Sequence, residues 1–225
     1  IFCLVRTNFQ APKHEGISFI LFDMTSEGVS VKPIELISGS SQFCETFFDN
    51  VRVPKSNLVG KKNEGWKIAK RLLQHERNMV AGMGSRGKSK NPKFAMENQA
   101  KIYLGDIDNK VSDAKAREKI TQHKMDSLAF SLTLKRTAQE AQTNSNPSPA
   151  SSMFKYFGTE LNKRRWEIMM DIIGTKGLGW AGDHFSDREL MTTREWLRSK
   201  GNSIEGGTSE VQLNIVSKRV LKLPD

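Results

Sequence analysis

Hydrophobic and polar positions change their period near residue 60. Before it, apolar residues come in short runs or alternate. Ile1-Phe2-Cys3-Leu4-Val5 opens as a strand already under way, so the sequence is expected to begin inside a domain. Gly16-Ile17-Ser18-Phe19-Ile20-Leu21-Phe22-Asp23 is a β-branched and aromatic run, Val29-Ser30-Val31-Lys32-Pro33-Ile34 alternates, and a third run spans Gln42 to Val51. Strands so closely spaced predict an antiparallel sheet or barrel. After it the spacing is helical. Asn63 is the expected cap of a first helix, with Ala69, Leu72, Leu73, Glu76 and Val80 on one face. A second helix is expected from Ser112 to Ala141, with Ile120, Leu128, Leu132 and Leu134 as its apolar positions. The polar Asn144–Pro149 stretch breaks it. A third is expected from Ser151 to Ile173, with Phe154, Phe157, Leu161, Ile168 and Ile172 inward. A loop then leads to a last helix from about Ser209 to Val220, in which Ser209 and Gln212 have capping-box spacing. The expected architecture is α+β: a partial antiparallel β-domain over 1–60 and an up-down four-helix bundle over 61–225.

Composition narrows the classes. The chain has 225 residues, 37% of them hydrophobic, enough for one or two domains with a true core. No apolar run is long enough to span a bilayer. Cys3 and Cys44 lie in apolar strand settings and are expected to be buried free thiols, which suits a reducing, cytoplasmic setting. The four histidines have no ligand spacing, so no metal site is expected. The net charge of +10 is dispersed over short clusters, and phosphorylated metabolites explain it as well as nucleic acid does.

Three segments carry candidate chemistry. Gly206-Gly207-Thr208 before a capped helix is a candidate anion site, since glycines let the backbone approach a phosphate and free N–H groups favour negative charge. A plain helix start with a flexible turn is the alternative. Gly174-Thr175-Lys176-Gly177-Leu178-Gly179 follows a helix rather than a strand, so a helix C-cap is its default reading. Glu76 stands where an apolar side chain is expected. Burial would raise its pKa toward the range of a general base. Pairing with His75, Arg77 or another helix, or snorkelling to water, is the alternative.

Several motifs in order resemble the acyl-CoA dehydrogenase family. They are Ile204-Glu205-Gly206-Gly207-Thr208-Ser209-Glu210-Val211-Gln212, running on through Asn214-Ile215-Val216 to Arg219-Val220-Leu221, and Phe47-Phe48-Asp49-Asn50-Val51-Arg52-Val53-Pro54 with Asn57-Leu58-Val59-Gly60 and Glu64-Gly65-Trp66. Gly16-Ile17-Ser18-Phe19 and Gly28-Val29 resemble the family's β-domain strands, and Arg194-Glu195-Trp196-Leu197-Arg198 the stretch before its active-site loop. The family's N-terminal helical domain and first β-strands would precede Ile1. The resemblance implies FAD bound partly across a subunit interface of a homo- or heterotetramer built on the helical bundle. It implies α,β-dehydrogenation of an acyl-CoA thioester, here of a longer, branched or sterol-derived acyl group, with electrons leaving through an electron-transfer flavoprotein.

The resemblance also assigns residues. Many members carry the catalytic glutamate directly before the Gly-Thr of the signature, where this chain has Gly206. Others place it on the first bundle helix before an arginine, which Glu76-Arg77 matches. Glu76 is therefore the expected base, Glu205 the runner-up, and Arg77 a substrate-binding candidate. Gly206, Gly207, Thr208, Ser209, Glu210, Gly174 and Gly177 are the cofactor-binding candidates. The family's phosphate-binding arginine followed by Phe-Gly is missing, and Arg86 or Lys93 are its possible substitutes. A non-catalytic subunit that completes a partner's FAD site is the second expectation. A nucleic-acid-binding relative, motivated by the net charge of +10, is the third.

Overall fold

The computed structural model describes residues 1–83, 95–143 and 151–224; the side chains at 74, 77–83, 141–143 and 151 lie outside that description. The chain divides into two compact units, Ile1–Glu76 and Arg77–Asp225.

The first unit is built from the expected strands. β1 (Phe2–Arg6) pairs antiparallel with β2 (Ile17–Leu21), Phe2 opposite Leu21, and β2 pairs on its other edge with β5 (Leu58–Val59). β3 (Val29–Ile34) and β4 (Phe43–Phe48) form a separate antiparallel pair, and Pro33 is tolerated because that pair leaves a free edge. Ser18 and Phe19 in β2 are buried, whereas Val31, Ile34, Phe43, Phe47 and Phe48 of the β3–β4 pair are exposed. The thiols are free, but only Cys3 is partly covered, and Cys44 is exposed. Cys44 lies in the β3–β4 pair, where even the neighbouring phenylalanines stay open, so apolar sequence context did not guarantee burial there.

Helix α1 (Gly65–Met83) begins two residues later than Asn63. Asn63 is not its cap: it takes a left-handed φ of 68°, and its side chain accepts from Thr7 Oγ1 at 2.7 Å while its N–H donates to Ser18 Oγ at 2.8 Å. Gly65 is needed at the helix start, because a Cβ there would lie 2.5 Å from the Ser18 carbonyl carbon.

The second unit contains α2 (Met96–Leu104), α3 (Ala114–Thr143), α4 (Ser151–Ile173), α5 (Asp187–Ser199) and the short α6 (Ser209–Ile215), which passes into a π-turn over Val216–Val220. α4 is central and packs on α2, α3, α5 and α6. A small hairpin, β6 (Asp106–Ile107) and β7 (Lys110–Val111), joins α2 to α3. The main core gathers Met96, Ala100, Val111, Ala116, Ile120, Ile168, Met169, Ile172 and Ile173, and a smaller one gathers Phe130, Phe154 and Leu161.

On α3 the inward stripe differs from the expected one. Ile120, His123 and Phe130 are buried, whereas Met125, Leu128 and Leu132 are exposed. The buried stripe advances by three and four residues through Ala116, Ile120 and His123, with half-buried Ser127 leading on to Phe130, so a histidine and a serine take up part of the covered face. On α4, Phe157 is likewise exposed.

Candidate functional site

The signature loop lies between α5 and α6. Lys200–Ser203 form a 3₁₀ turn after α5, and the N–H groups of Ile204 and Glu205 both donate to the Gly201 carbonyl. Side chains from two helices then hold the loop. Arg198 Nη2 donates to Glu205 Oε2 at 2.8 Å, and Asn202 Nδ2 donates to Glu205 Oε1. From α4, Asn162 Nδ2 donates to Asn202 Oδ1 at 2.8 Å and Lys163 Nζ to Ser203 Oγ at 2.8 Å. Lys155, wholly enclosed, donates from Nζ to the Asn202 carbonyl at 3.0 Å. Burial pushes the Lys155 ammonium below the ordinary lysine range, against the opposing pull of Glu205, Glu160 and Glu210.

Gly206 and Gly207 follow with φ values of 67° and 92°, a left-handed passage that a residue with a side chain would strain. The helix cap is Thr208, not Ser209: Thr208 Oγ1 accepts from the Val211 N–H at 3.3 Å. With Val211 at the third helical position there is no capping box. Gln212, fully buried, instead turns its amide to donate to the Gly206 carbonyl at 3.0 Å. Glu210 is held below the usual carboxylate range by its own backbone N–H and then by the Thr208 hydroxyl. At this helix start the Glu210 carboxylate thus takes up its own backbone N–H, and Thr208 takes up that of Val211.

The remaining candidates lie elsewhere. Gly174 ends α4 with a φ of 55°, the C-cap conformation expected of it. Gly177 is buried in the 3₁₀ turn that follows, where a Cβ would lie 2.7 Å from Met170 Cε. Gly174 thus has a backbone reason for being glycine, whereas at Gly177 the near atom is the movable tip of a methionine. Glu76 is on α1 in the first unit and is half-buried, with Leu72 and Leu73 beside it 37% and 41% exposed. Of the face that periodicity marks as internal, Ala69 is buried while Leu72 and Leu73 are exposed, and the Val80 side chain lies outside the described residues. The Arg77 side chain, Arg86 and Lys93 lie outside the described residues.

Sequence reasoning missed Lys155, Asn162 and Lys163. They stand seven and eight residues apart on a helix, a spacing that marks one face, but polar residues at that spacing usually mark a solvated face. It also missed α5, whose start carries a full capping box: Ser186 Oγ accepts from the Glu189 N–H, and the Glu189 carboxylate accepts from the Ser186 N–H. The Ser-x-x-Glu spacing was the available signal. Tyr103 also donates to Glu189, at 2.9 Å. No cluster of residues suited to a metal occurs among the described residues, and no described helix is long and apolar enough to cross a membrane. Basic side chains near the β6–β7 hairpin are engaged locally: Lys101 with Asp106 and Asn109, Lys124 with Glu97, and Arg117 with the carbonyls of Val111 and Ser112.

A small antiparallel β unit followed by a helical unit, with the C-terminal glycine loop clamped onto its central helix, defines an α+β protein of one known architecture. Residues 63–221 match the family model described as acyl-CoA dehydrogenase, C-terminal domain, and the chain belongs to the acyl-CoA dehydrogenase family. It is 32% identical over 222 residues to acyl-CoA dehydrogenase FadE34 of Mycobacterium tuberculosis, covering 99% of this chain and 29% of that protein. It is 29% identical to acyl-CoA dehydrogenase IpdE1 of Mycolicibacterium smegmatis, covering 99% and 53%. Among solved structures, the Tcur3481-Tcur3483 steroid ACAD superposes with a TM-score of 0.79 at 26% identity, over 98% of this chain and 56% of that one. The ChsE4-ChsE5 complex from Mycobacterium tuberculosis gives 0.72 at 28% identity, over 100% and 57%. The chain therefore spans about a third to just over half the length of these relatives.

Proposed function

We propose that this chain works in an enzyme that removes the α- and β-hydrogens of an acyl-CoA thioester, with Glu76 as the base for the α-proton. Glu205 has both carboxylate oxygens engaged, by Arg198 and Asn202, and Gly206 offers no side chain. That pair of bonds carries the assignment: a carboxylate with both oxygens held by neighbouring side chains of its own loop is not free to turn toward a substrate, and a general base must reach the proton it removes. Glu76 precedes an arginine on the first helix, as the base does in part of the family. A steroid ACAD among the structural relatives supports a sterol-derived acyl group as substrate.

FAD, when bound, supplies the acceptor for the β-hydride. The signature loop fits a hydroxyl-bearing part of such a cofactor better than its phosphates. Ser209 Oγ is buried without a partner among the described residues and is free to donate, while Glu210 places a negative charge beside it. Ser209 is the residue that would hold the group there. An electron-transfer flavoprotein is the proposed electron acceptor.

The test uses the full-length protein loaded with FAD. Exchange of the substrate α-proton with solvent deuterium should fall by about 100-fold or more in Glu76→Gln, the usual weight of a general base, and persist in Glu205→Gln. The reverse pattern overturns the assignment.

A second reading is supported by the exposed stripe Met125, Leu128 and Leu132 on α3, 60%, 59% and 55% open. These residues repeat at helical spacing and suit another helical surface. Two structural relatives are named as pairs, and this chain would assemble in the same way with a second dehydrogenase chain, with or without a base of its own. Co-purification with that chain, and no turnover in its absence, is the expected outcome. A full-length protein that turns over as a homo-oligomer excludes it.

A further inference from the structure

Lys155 is the largest completely enclosed side chain of the described residues, although lysine is among the residues least often fully buried. An enclosed ammonium is costly unless it is bound, and among the described residues this one donates one hydrogen bond, to the Asn202 carbonyl at 3.0 Å, with the charges of Glu205, Glu160 and Glu210 acting on it through space. Asn202 is gripped again through its side chain, by Asn162 at 2.8 Å, and passes the constraint on to Glu205. Lys163 holds the next residue, Ser203, at 2.8 Å. Positions 155, 162 and 163 share one face of α4, so one helix face fastens two successive residues of the loop just ahead of Gly206.

A methionine would fill nearly the same volume without the cost of burying a charge, and such replacements are often neutral or stabilising. Stability alone therefore gives little reason for lysine here, whereas fixing a carbonyl in place does. We propose that Lys155 is a positioning residue: by holding the Asn202 carbonyl it sets the conformation of the segment from Asn202 to Gly207 for the reaction. The inference rests on the proposed dehydrogenation for its functional half and on the hydrogen bonds alone for its structural half.

The experiment compares full-length wild type with Lys155→Met by amide hydrogen exchange and steady-state kinetics. The amides of Ile204 and Glu205 should exchange about ten-fold or more faster, the usual consequence of losing a hydrogen bond to a charged group, with amides in the middle of α4 unchanged. In the same variant kcat should fall about ten-fold while KM and bound flavin stay within about two-fold, because misplacement near the chemistry costs rate before it costs binding. Unchanged loop exchange overturns the clamp, and faster exchange with unchanged kcat overturns the positioning role. Should Lys155→Met fail to fold, Asn162→Leu and Lys163→Met remove the other two grips from half-buried positions, and the same readouts decide. A wild type inactive on every acyl-CoA tested would overturn the proposed function, and loop exchange would still decide the clamp.

Discussion

Arg198 and Glu205 form an ion pair across the turn that ends α5, with Nη2 to Oε2 at 2.8 Å and both side chains about one-fifth exposed. Seven residues apart in sequence, they close the loop that carries the family signature. Asn202 takes the second oxygen, so the Glu205 carboxylate is held at both ends within the loop.

Removing Glu205 should therefore cost stability, and removing Glu76 should not. Glu205→Ala leaves Arg198 and Asn202 without their shared acceptor, and a partner removed from a partly buried charged pair typically costs about 1–3 kcal/mol. Glu76 is half-buried beside the exposed Leu72 and Leu73, and Glu76→Gln should stay within about 0.5 kcal/mol. Urea denaturation of the full-length protein measures both, and equal losses would contradict the division of roles.

His123 predicts a specific pH dependence. Burial on α3, and then the positive charges of Arg164 and Arg165, push its pKa down to about 4, with Asp126 opposing. The unfolded chain, with its histidine near the ordinary 6.5, binds a proton that the folded protein refuses. Stability is thus full above about pH 6.5, falls as pH drops through 6 and 5, and has lost about 3 kcal/mol by pH 4. In His123→Gln the midpoint of unfolding should change less between pH 7 and pH 5 than in wild type.

Two glycines should differ in why they resist substitution. Gly65→Ala drives a Cβ to 2.5 Å from β2 backbone, which cannot swing aside, and overpacking of this kind costs about 1–3 kcal/mol. Gly207→Ala meets the amide nitrogen of Gln212 at 2.5 Å at a left-handed φ, for a backbone penalty of about 1–2 kcal/mol. Thermal unfolding should show both losses. Only Gly207→Ala should raise the exchange of the α6 amides, by displacing Gln212 from the Gly206 carbonyl.

The start of α5 offers the simplest check. Ser186→Ala removes one half of the capping box and should cost about 1 kcal/mol. Glu189 also receives Tyr103, so Glu189→Ala should cost more, because it strips a partner from α2 as well. A smaller loss for Glu189→Ala would argue against that link between the helices.

Much of this was legible in the sequence because it follows from local rules. The four main strands and the burial of Ile120, Phe154, Leu161, Ile168 and Ile172 follow from periodicity, while the expected break over Asn144–Pro149 lies outside the described residues. Gly174 fulfilled its C-cap reading. What stayed hidden depends on partners distant in sequence. Asn63 looked like a cap because asparagine caps helices, yet Thr7 and Ser18, 56 and 45 residues away, recruit it first. Lys155 drew no notice because nothing local shows that Asn202 will close over it. Leu128 and Leu132 looked internal because apolar side chains mark a face that something must cover, and among the described residues nothing does.

The bonds among Thr7, Ser18 and Asn63 acquire a different meaning once Glu76 is placed on the helix they introduce. Eleven residues separate Gly65 from Glu76, about 16 Å of α-helix at the usual rise. The fastened end is a pivot and the carboxylate sits at the tip of a lever. A tilt of about 4° there sweeps the tip through about 1 Å, the scale at which misalignment becomes costly in rate. Under the proposed role of Glu76, the hydroxyls of Thr7 and Ser18, which hold Asn63 at the foot of this helix, would set how accurately a distant carboxylate is aimed.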